Sequence, residues 1–553
     1  MAKATRLANR AFAVEEFASL NCEGSGRRGR PATLTTKPSA TYQQRPVIPG
    51  NTPGTKLAHK VKGSKYMRSQ GADRTTDEKA SREQRDAAGL VYKLRQEFPQ
   101  ERRRIALLTP YSGGNLGDAA TQDAIIANLR LRFPNPQFSG LTLNGDNFVE
   151  RHGTDAYPLY ASRRPFYGLH RRRVTDPRHG GSSARPASAT RLTPPVLKQL
   201  LTRTPALGWC LKAIYSLGER VYGELLHSVR GYRFLRTHHL LIVSGGGQLD
   251  EEWGGPWGHP FALFKWAVLA RIAGVPYAIA SVGACKINST ACRFFLSAAL
   301  HMAQYRSYRD KNSREVAAGL LRRAARDPVV PDMAFSLPSS ELPSSAGIQS
   351  MSRGRLVVAI SPIAYAKPGS WAYENAVLYD RYLQHMARLL SQLLERGYFL
   401  LMVCSSFGDD DRVIPEILER MDDKSKERAA RQMHIPGIRT WKDLVISLRS
   451  VDFLIASRLH SAILSFVTQT PIVAISFDPK VDWVMEDLGQ TESLLHIHDF
   501  TAEDVIEALD RIELRRGVVV EQIASYRQRI LSVSELQYHT LAALAVAGRR
   551  CCA

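Results

Sequence analysis

The chain has 553 residues, more than one average domain holds, and 44% of them are hydrophobic, enough for sizeable cores. That composition excludes a wholly disordered, collagen-like or silk-like chain. The formal charge is +23, yet residues 1–104 carry 22 Lys/Arg against 10 Asp/Glu and residues 151–191 carry 9 Arg against 2 Asp, so the remainder is close to neutral.

Residues 1–100 are rich in Arg, Ser, Thr, Gly and Pro and show no sustained period; they form a basic, mostly disordered tail, with 1–75 the clearest part. From Arg104 the texture changes. RIALLTPY (104–111) predicts a buried strand, GGNLGD (113–118) a tight loop, 119–133 an amphipathic helix and 138–144 a second strand. The Arg-rich stretch 151–191 interrupts as an insertion, and a helical segment over 194–230 follows. The alternation resumes with HLLIVSGGG (239–247) as strand and loop, and a helix over 257–273 stopped by Gly274 and Pro276. Next come a strand at 276–284, a helix at 289–303, a short strand at 305–310, a helix at 311–325 and a strand end at 329–335.

Residues 336–354 are rich in Ser, Pro and Gly and mark the domain boundary, with 339–354 as linker. After it, strands are expected at 355–361, 398–405, 452–456 and 471–477. Helices are expected near 374–396, 440–449, 458–469, 501–512 and 516–547. Continuous apolar strands alternating with helices predict parallel sheets covered on both faces. The expected fold class is α/β, with two doubly wound Rossmann-like domains facing a cleft: an N-terminal one over 101–338 and a C-terminal one over 355–553.

Charge and cysteines bound the partners and compartment. Nucleic-acid binders place basic charge on a folded face or in a known module. Here it lies in aperiodic segments, so no specific nucleic acid is expected, and at most peripheral membrane contact. The seven cysteines (22, 210, 285, 292, 404, 551 and 552) form no C-x-x-C pair and are odd in number. This argues against a disulfide framework or zinc site and fits a reducing cytoplasm. No signal-peptide core or spanning run is expected; the best apolar stretch, 261–284, is broken by Lys265 and Arg271.

In open α/β sheets ligands sit at the carboxyl ends of strands. Four loops lie there. GGNLGD brings bare backbone before a helix N-terminus, or is only a turn capped by Asp118. SGGGQLD (244–250) sets three glycines after a strand, with Asp250 as base or cap; Trp253 and Trp257 beside it suit a sugar ring or a packed lid. Arg309 and Asp310 close a strand, as ligand groups or as a surface ion pair. DFLIASRLHSAILSF (452–466) puts Arg458 and His460 in the first helical turn, where cations oppose the helix dipole. That placement builds an anion pocket, and histidine there can deliver a proton near neutral pH. Asp478 and Lys480 close the next strand toward the same edge.

In order and spacing, GNLGD (114–118), SGGGQLD, SVG (281–283), RDKNS (309–313), PDMAF (331–335), SRLH (457–460) and SFDPKV (476–481) resemble the polysaccharide pyruvyl transferase family over about residues 104–490. The resemblance implies a fold like that of GT-B glycosyltransferases. It implies transfer of a pyruvyl group from phosphoenolpyruvate to a sugar, usually as a ketal, with release of phosphate. It assigns donor binding to Arg458 and Leu459, with His460 holding and activating the donor, and adds Arg309. Lys480, Gly114, Asn115, Gly245 and Gly246 complete the expected donor set, and Asp118 or Asp250 is the expected base for the hydroxyls, with His460 the acid. Ala119 stands where the family often has an acidic residue, and SVGACKI (281–287) where it often has S-x-G-x-G-P.

Such chemistry needs no cofactor beyond phosphoenolpyruvate as co-substrate, and no metal. The expected acceptor is a sugar or polysaccharide, with its lipid linkage left open. The alternatives are a GT-B-type glycosyltransferase using a nucleotide sugar and a non-catalytic polysaccharide-binding protein.

Overall fold

Ile105–Leu108, Leu240–Ser244 and Val357–Ser361 are runs without polar alternation, and every residue in them is buried. Only a sheet covered on both faces disposes of such runs. The computed structural model describes residues 96, 98, 102–111, 113–161, 205–344, 348–370 and 374–548. The expectations for most of residues 1–100 and for 162–191 lie outside these.

The first sheet is built from β1 (Arg104–Leu108), α1 (Leu116–Arg132), β2 (Gln137–Thr142), α2 (Gly145–His152), β3 (Ala156–Pro158), α3 (Pro205–Leu235), β4 (Leu240–Ser244), α4 (His259–Ile272), β5 (Tyr277–Val282), α5 (Thr290–Met302), β6 (Tyr305–Tyr308) and α6 (Lys311–Leu320). Its strands are all parallel, in the order β3-β2-β1-β4-β5-β6.

After α7 (Ile348–Ser352) the second sheet uses β7 (Val357–Ser361), α8 (Ala376–Glu395), β8 (Phe399–Met402), α9 (Asp410–Glu419), α10 (Asp423–Gln432), β9 (Met433–His434), α11 (Trp441–Leu448), β10 (Phe453–Ala456), α12 (Leu459–Val467), β11 (Ile472–Ser476), α13 (Pro479–Leu488), β12 (Leu494–His496) and α14 (Ala502–Leu514). The order β12-β11-β10-β7-β8-β9 repeats the first topology, with switch points at β1/β4 and β7/β10. The fold class is therefore α/β with two doubly wound parallel sheets. Both sheets belong to one compact unit, Leu90–Ala553.

Alternate residues of the first sheet feed two cores. Ile105, Leu107, Leu240, Ile242 and Ala278 join a core continuous with the second sheet. Ala106, Leu108, Leu241, Val243 and Ile279 pack into a separate core that includes Leu263 and Trp266 of α4 and Leu296 of α5. The last helix, α15 (Arg516–Ala547), buries Val519, Ile523, Tyr526, Ile530, Tyr538, Leu541 and Ala545 at helical spacing. It returns to the first half: Arg132, wholly buried, pairs with Glu535, and the Tyr538 hydroxyl lies 2.6 Å from Ser336 Oγ. Phe98 packs between Phe133 and His539.

Three expectations are corrected. Residues 151–158 are not part of an insertion: Arg151 and His152 end α2, where Arg151 bonds Gln122 and Asp123, and 156–158 form β3. Residues 329–335 do not form a strand. Val329 makes one bridge to Tyr308, and Met333–Ser336 is a 3-10 turn capped by Asp332. The helix expected over 194–230 extends to Leu235 as α3, and its expected residues 194–204 lie outside the described residues. No helix among the described residues is long and apolar enough to cross a membrane.

Two buried histidines give the fold an acid weakness. His227 Nε2 donates to Pro158 O (3.0 Å), and His259 lies between Gln248 Oε1 (2.8 Å) and Tyr160 OH (3.4 Å). Burial pushes each down to about 4. The unfolded chain takes up these protons first, so the stability they contribute is full above about pH 6.5 and is lost as pH falls through about 4, by up to about 3 kcal/mol each. Denaturant midpoints across that window should fall with pH, and neither imidazole resonance should titrate near its ordinary value.

Candidate active site

The loop after β1 is shaped by Asn115, not by Asp118. Asn115 Oδ1 accepts from Gly117 N (2.9 Å) and Asp118 N (3.4 Å), so it caps α1 and the Asp118 carboxylate is released from that duty. The same loop is joined to the one after β8. Leu116 N donates to Ser405 O (3.0 Å), Phe407 N donates to Gly114 O (2.9 Å), and Asn115 faces Ser406 in an antiparallel bridge. Gly114 and Asn115, expected at the donor, thus serve the junction.

Gly117 is bare because His460 lies against it. A Cβ there would stand 1.8 Å from His460 Cγ. His460 lies in the first turn of α12, and its neighbour Ser461 is anchored to Ser361 Oγ (3.0 Å) and Ser405 Oγ (2.9 Å). The imidazole Nε2 has no hydrogen-bond partner and stands 3.7 Å from Asp332 Oδ2. That is an ion-pair separation, too long for a hydrogen bond.

Asp332 comes from the 3-10 turn and is 1% exposed. Its Oδ1 accepts from Thr121 Oγ1 (2.8 Å) and Ala334 N (3.0 Å). Its Oδ2 has no hydrogen-bond partner and faces both His460 and, at 3.7 Å, Arg309 Nη1. Burial alone would raise this carboxyl; His460, Arg309 and the Ala334 N–H outweigh it and hold the group well below the usual range.

Arg309 follows β6 and turns inward, so it is not a surface ion pair. Its Nη2 is buried without a hydrogen-bond partner and lies 2.8 Å from where Gly283 would carry a Cβ. Asp310 caps α6 through Ser313 N (2.7 Å). Gly245 (φ +55°) and Gly246 (φ +69°) take the left-handed region, and a Cβ on Gly245 would press to 2.5 Å from Thr121. The Cβ position of Gly246 lies 3.8 Å from Asp118 Oδ1. Burial raises Asp118 above the ordinary carboxylate range and Asp332 adds to this, against His460 and Arg309.

The structure therefore gathers Asp118, Arg309 and His460 around Asp332, where the carboxyl ends of both sheets meet. Sequence reasoning quoted Asp332 inside a motif but gave it no role. Three buried polar atoms without a hydrogen-bond partner converge here, Arg309 Nη2, Asp332 Oδ2 and His460 Nε2. Each costs about 1–3 kcal/mol when left so, which marks a place for a ligand.

Other expected residues lie elsewhere. Arg458 is the N-cap of α12, in extended backbone (φ −86°, ψ 134°), not in its first turn. Its guanidinium grips Asp410 at 2.7 and 2.9 Å, and the 1%-exposed Asp410 also accepts from Ala364 N (3.0 Å). Arg458 is thus bound to Asp410, whereas His460 faces Asp332. Leu459 and Lys480 do line one crevice with Arg309 and Asp332. Lys480 Nζ is 3.4 Å from Asp478, which caps α13. Asp250 accepts from Glu252 N (2.9 Å) and bonds Cys285, whose thiol burial raises; it is a turn carboxylate. Trp257 is 74% exposed, and with Trp253, Tyr222 and Leu225 it lines a separate apolar groove of about 1840 Å³. Among the described residues no group of three or more His, Cys, Asp or Glu is arranged to hold a metal ion.

Among curated proteins, the chain is 27% identical over 154 residues to the amylovoran biosynthesis protein AmsJ of Erwinia amylovora, a stretch covering 27% of this chain and 36% of AmsJ. It thus spans about a third of that relative's length. Among solved structures it is similar to S. aureus MnaA with UDP (8% identical, TM-score 0.41, 76% of this chain and 90% of that one). It is also similar to E. coli ADP-heptose lipopolysaccharide heptosyltransferase II (13% identical, TM-score 0.37, 75% and 99%). The family model described as polysaccharide pyruvyl transferase matches residues 115–479, a span that contains Asp118, Arg309, Asp332, Arg458 and His460. With that match over more than half its length, the chain belongs to the polysaccharide pyruvyl transferase family and is a transferase.

Proposed function

We propose that this transferase moves a pyruvyl group from phosphoenolpyruvate to a sugar residue of a polysaccharide or its precursor, forming a ketal and releasing phosphate. The observation that carries the reading is the convergence of Arg309, Asp332 and His460, each with a buried atom lacking a hydrogen-bond partner, beside Asp118.

In this reading His460 gives a proton to the methylene carbon of the donor. Positive charge develops at the neighbouring carbon, and the Asp332 carboxylate stabilises it. A sugar hydroxyl attacks that carbon and loses its proton to Asp118, whose raised pKa suits a base that must later release it. The carbon–oxygen bond to phosphate breaks, and phosphate departs with Arg309 and Lys480 beside it. A second hydroxyl closes the ketal and gives its proton to the phosphate still held in the site; Asp118 then releases its proton to solvent and His460 takes one up, which restores both groups. Asp118 is favoured over Asp250 because only Asp118 borders the cluster. Each cation stands by a carboxylate (Arg309 by Asp332, Arg458 by Asp410, Lys480 by Asp478), so the donor's anionic oxygens compete with these partners.

The test is incubation of the full chain with phosphoenolpyruvate and candidate glycans, following free phosphate and the pyruvylated product. His460→Ala should reduce phosphate release by about 10²–10⁴-fold with the fold retained. Nucleotide diphosphate released from a nucleotide sugar, with phosphoenolpyruvate untouched, would overturn the reading.

A further inference from the structure

Ser281 lies inside β5 yet takes φ +50°, a conformation that costs a non-glycine residue about 1 kcal/mol or more. The β5–β6 pairing shifts register at the same place, between Ile279 and Val282. A kink of this kind re-aims the residues that follow it.

What holds the kink comes from the far end of the chain. Gln537 of α15 is wholly buried. Its Nε2 donates to Ser281 Oγ (3.0 Å), and its Oε1 accepts from Ser307 Oγ (2.5 Å) and Tyr305 OH (3.3 Å). Ser307 Oγ in turn accepts from Ser281 N (2.7 Å). Two residues after Ser281, Gly283 N donates to Gly246 O (2.7 Å), Leu249 N donates to Gly283 O (3.1 Å), and Arg309 lies over the bare Gly283 Cα. The next residue of the same helix, Tyr538, holds Ser336 at the end of the turn that Asp332 caps.

We propose that Gln537 is a positioning residue for transfer. It holds Ser281 in the left-handed conformation, and so sets Gly283, the glycine loop and Arg309 at working distance from Asp332. The proposal rests on the pyruvyl-transfer reading for its kinetic arm only.

The test compares Gln537→Met, which keeps the volume and removes the hydrogen bonds, with Gln537→Met/Ser281→Gly. Glycine adopts a φ near +50° unaided, so the second change should repair what the first breaks. In Gln537→Met, hydrogen exchange at the Gly283 and Leu249 amides should quicken by about tenfold or more, and kcat for phosphate release should fall by a similar factor. Both should return toward wild type in the double variant. A purely packing role predicts lowered stability with no rescue by Ser281→Gly, and that result would overturn the proposal. Wild-type exchange and turnover in Gln537→Met would do the same. If Gln537→Met does not fold, Ser307→Ala, alone and with Ser281→Gly, is measured in its place with the same outcomes. If the wild-type chain releases no phosphate from phosphoenolpyruvate, the reaction reading fails while the exchange arm still decides the role of Gln537.

Discussion

Gly117→Ala is expected to remove transfer activity by about 10²–10³-fold through the single carbon it adds. That carbon would lie 1.8 Å from His460 Cγ and 2.2 Å from both Cβ and Nδ1. Neither element can yield easily. The α1 start is capped by Asn115 and joined to Ser405 and Phe407, and the α12 start is anchored through Ser461. The imidazole must therefore swing away from Asp332, with an overpacking cost of about 1–3 kcal/mol. A double-mutant cycle checks the cause. In a His460→Ala background the extra methyl should cost little further activity, because the ring it displaces is gone. Equal losses in both backgrounds would refute the steric account.

Asp332→Asn should lower kcat by about 10²–10³-fold while changing the shape of the site very little. An asparagine oxygen can still accept from Thr121 and Ala334, but an amide N–H would then face Arg309 and His460, which lose their common counter-charge. Leaving buried charge uncompensated costs about 3–5 kcal/mol when one partner of a buried pair is removed, and the shared geometry here places the expected loss at the lower end. The variant also carries a pH signature. Burial is the main cause of the raised Asp118 pKa, and Asp332 adds to it. Removing that neighbouring negative charge should move the base-dependent limb of the activity profile to lower pH. Unchanged kcat with an unmoved limb would exclude Asp332 from the chemistry.

Much of the architecture was legible because the strands are short continuous apolar runs. A run such as LLIVS has one way to be buried, between two layers of helix. The functional loops followed, since strand ends are where such sheets bind ligands. What was not legible depends on contacts between distant segments. VVPDMAF carries the apolar content of a strand, and only Thr121 and Ala334 reveal that its aspartate is a buried cap turned toward two cations. Asp410 sits in an acidic triplet that resembles a solvated face until Arg458 is found on it. Within GNLGD two residues could cap the helix. The asparagine takes the cap, and this leaves the aspartate for the cleft. Residues 151–158 were hidden by the arginines around them, although Arg151 is bound to Gln122 and Asp123.

The backbone ladder between Gly114–Leu116 and Ser405–Phe407 has a mechanical consequence. It joins the loop before α1, which carries Gly117, to the loop after β8, so any shift of one loop passes through the main chain to the backbone against which His460 lies.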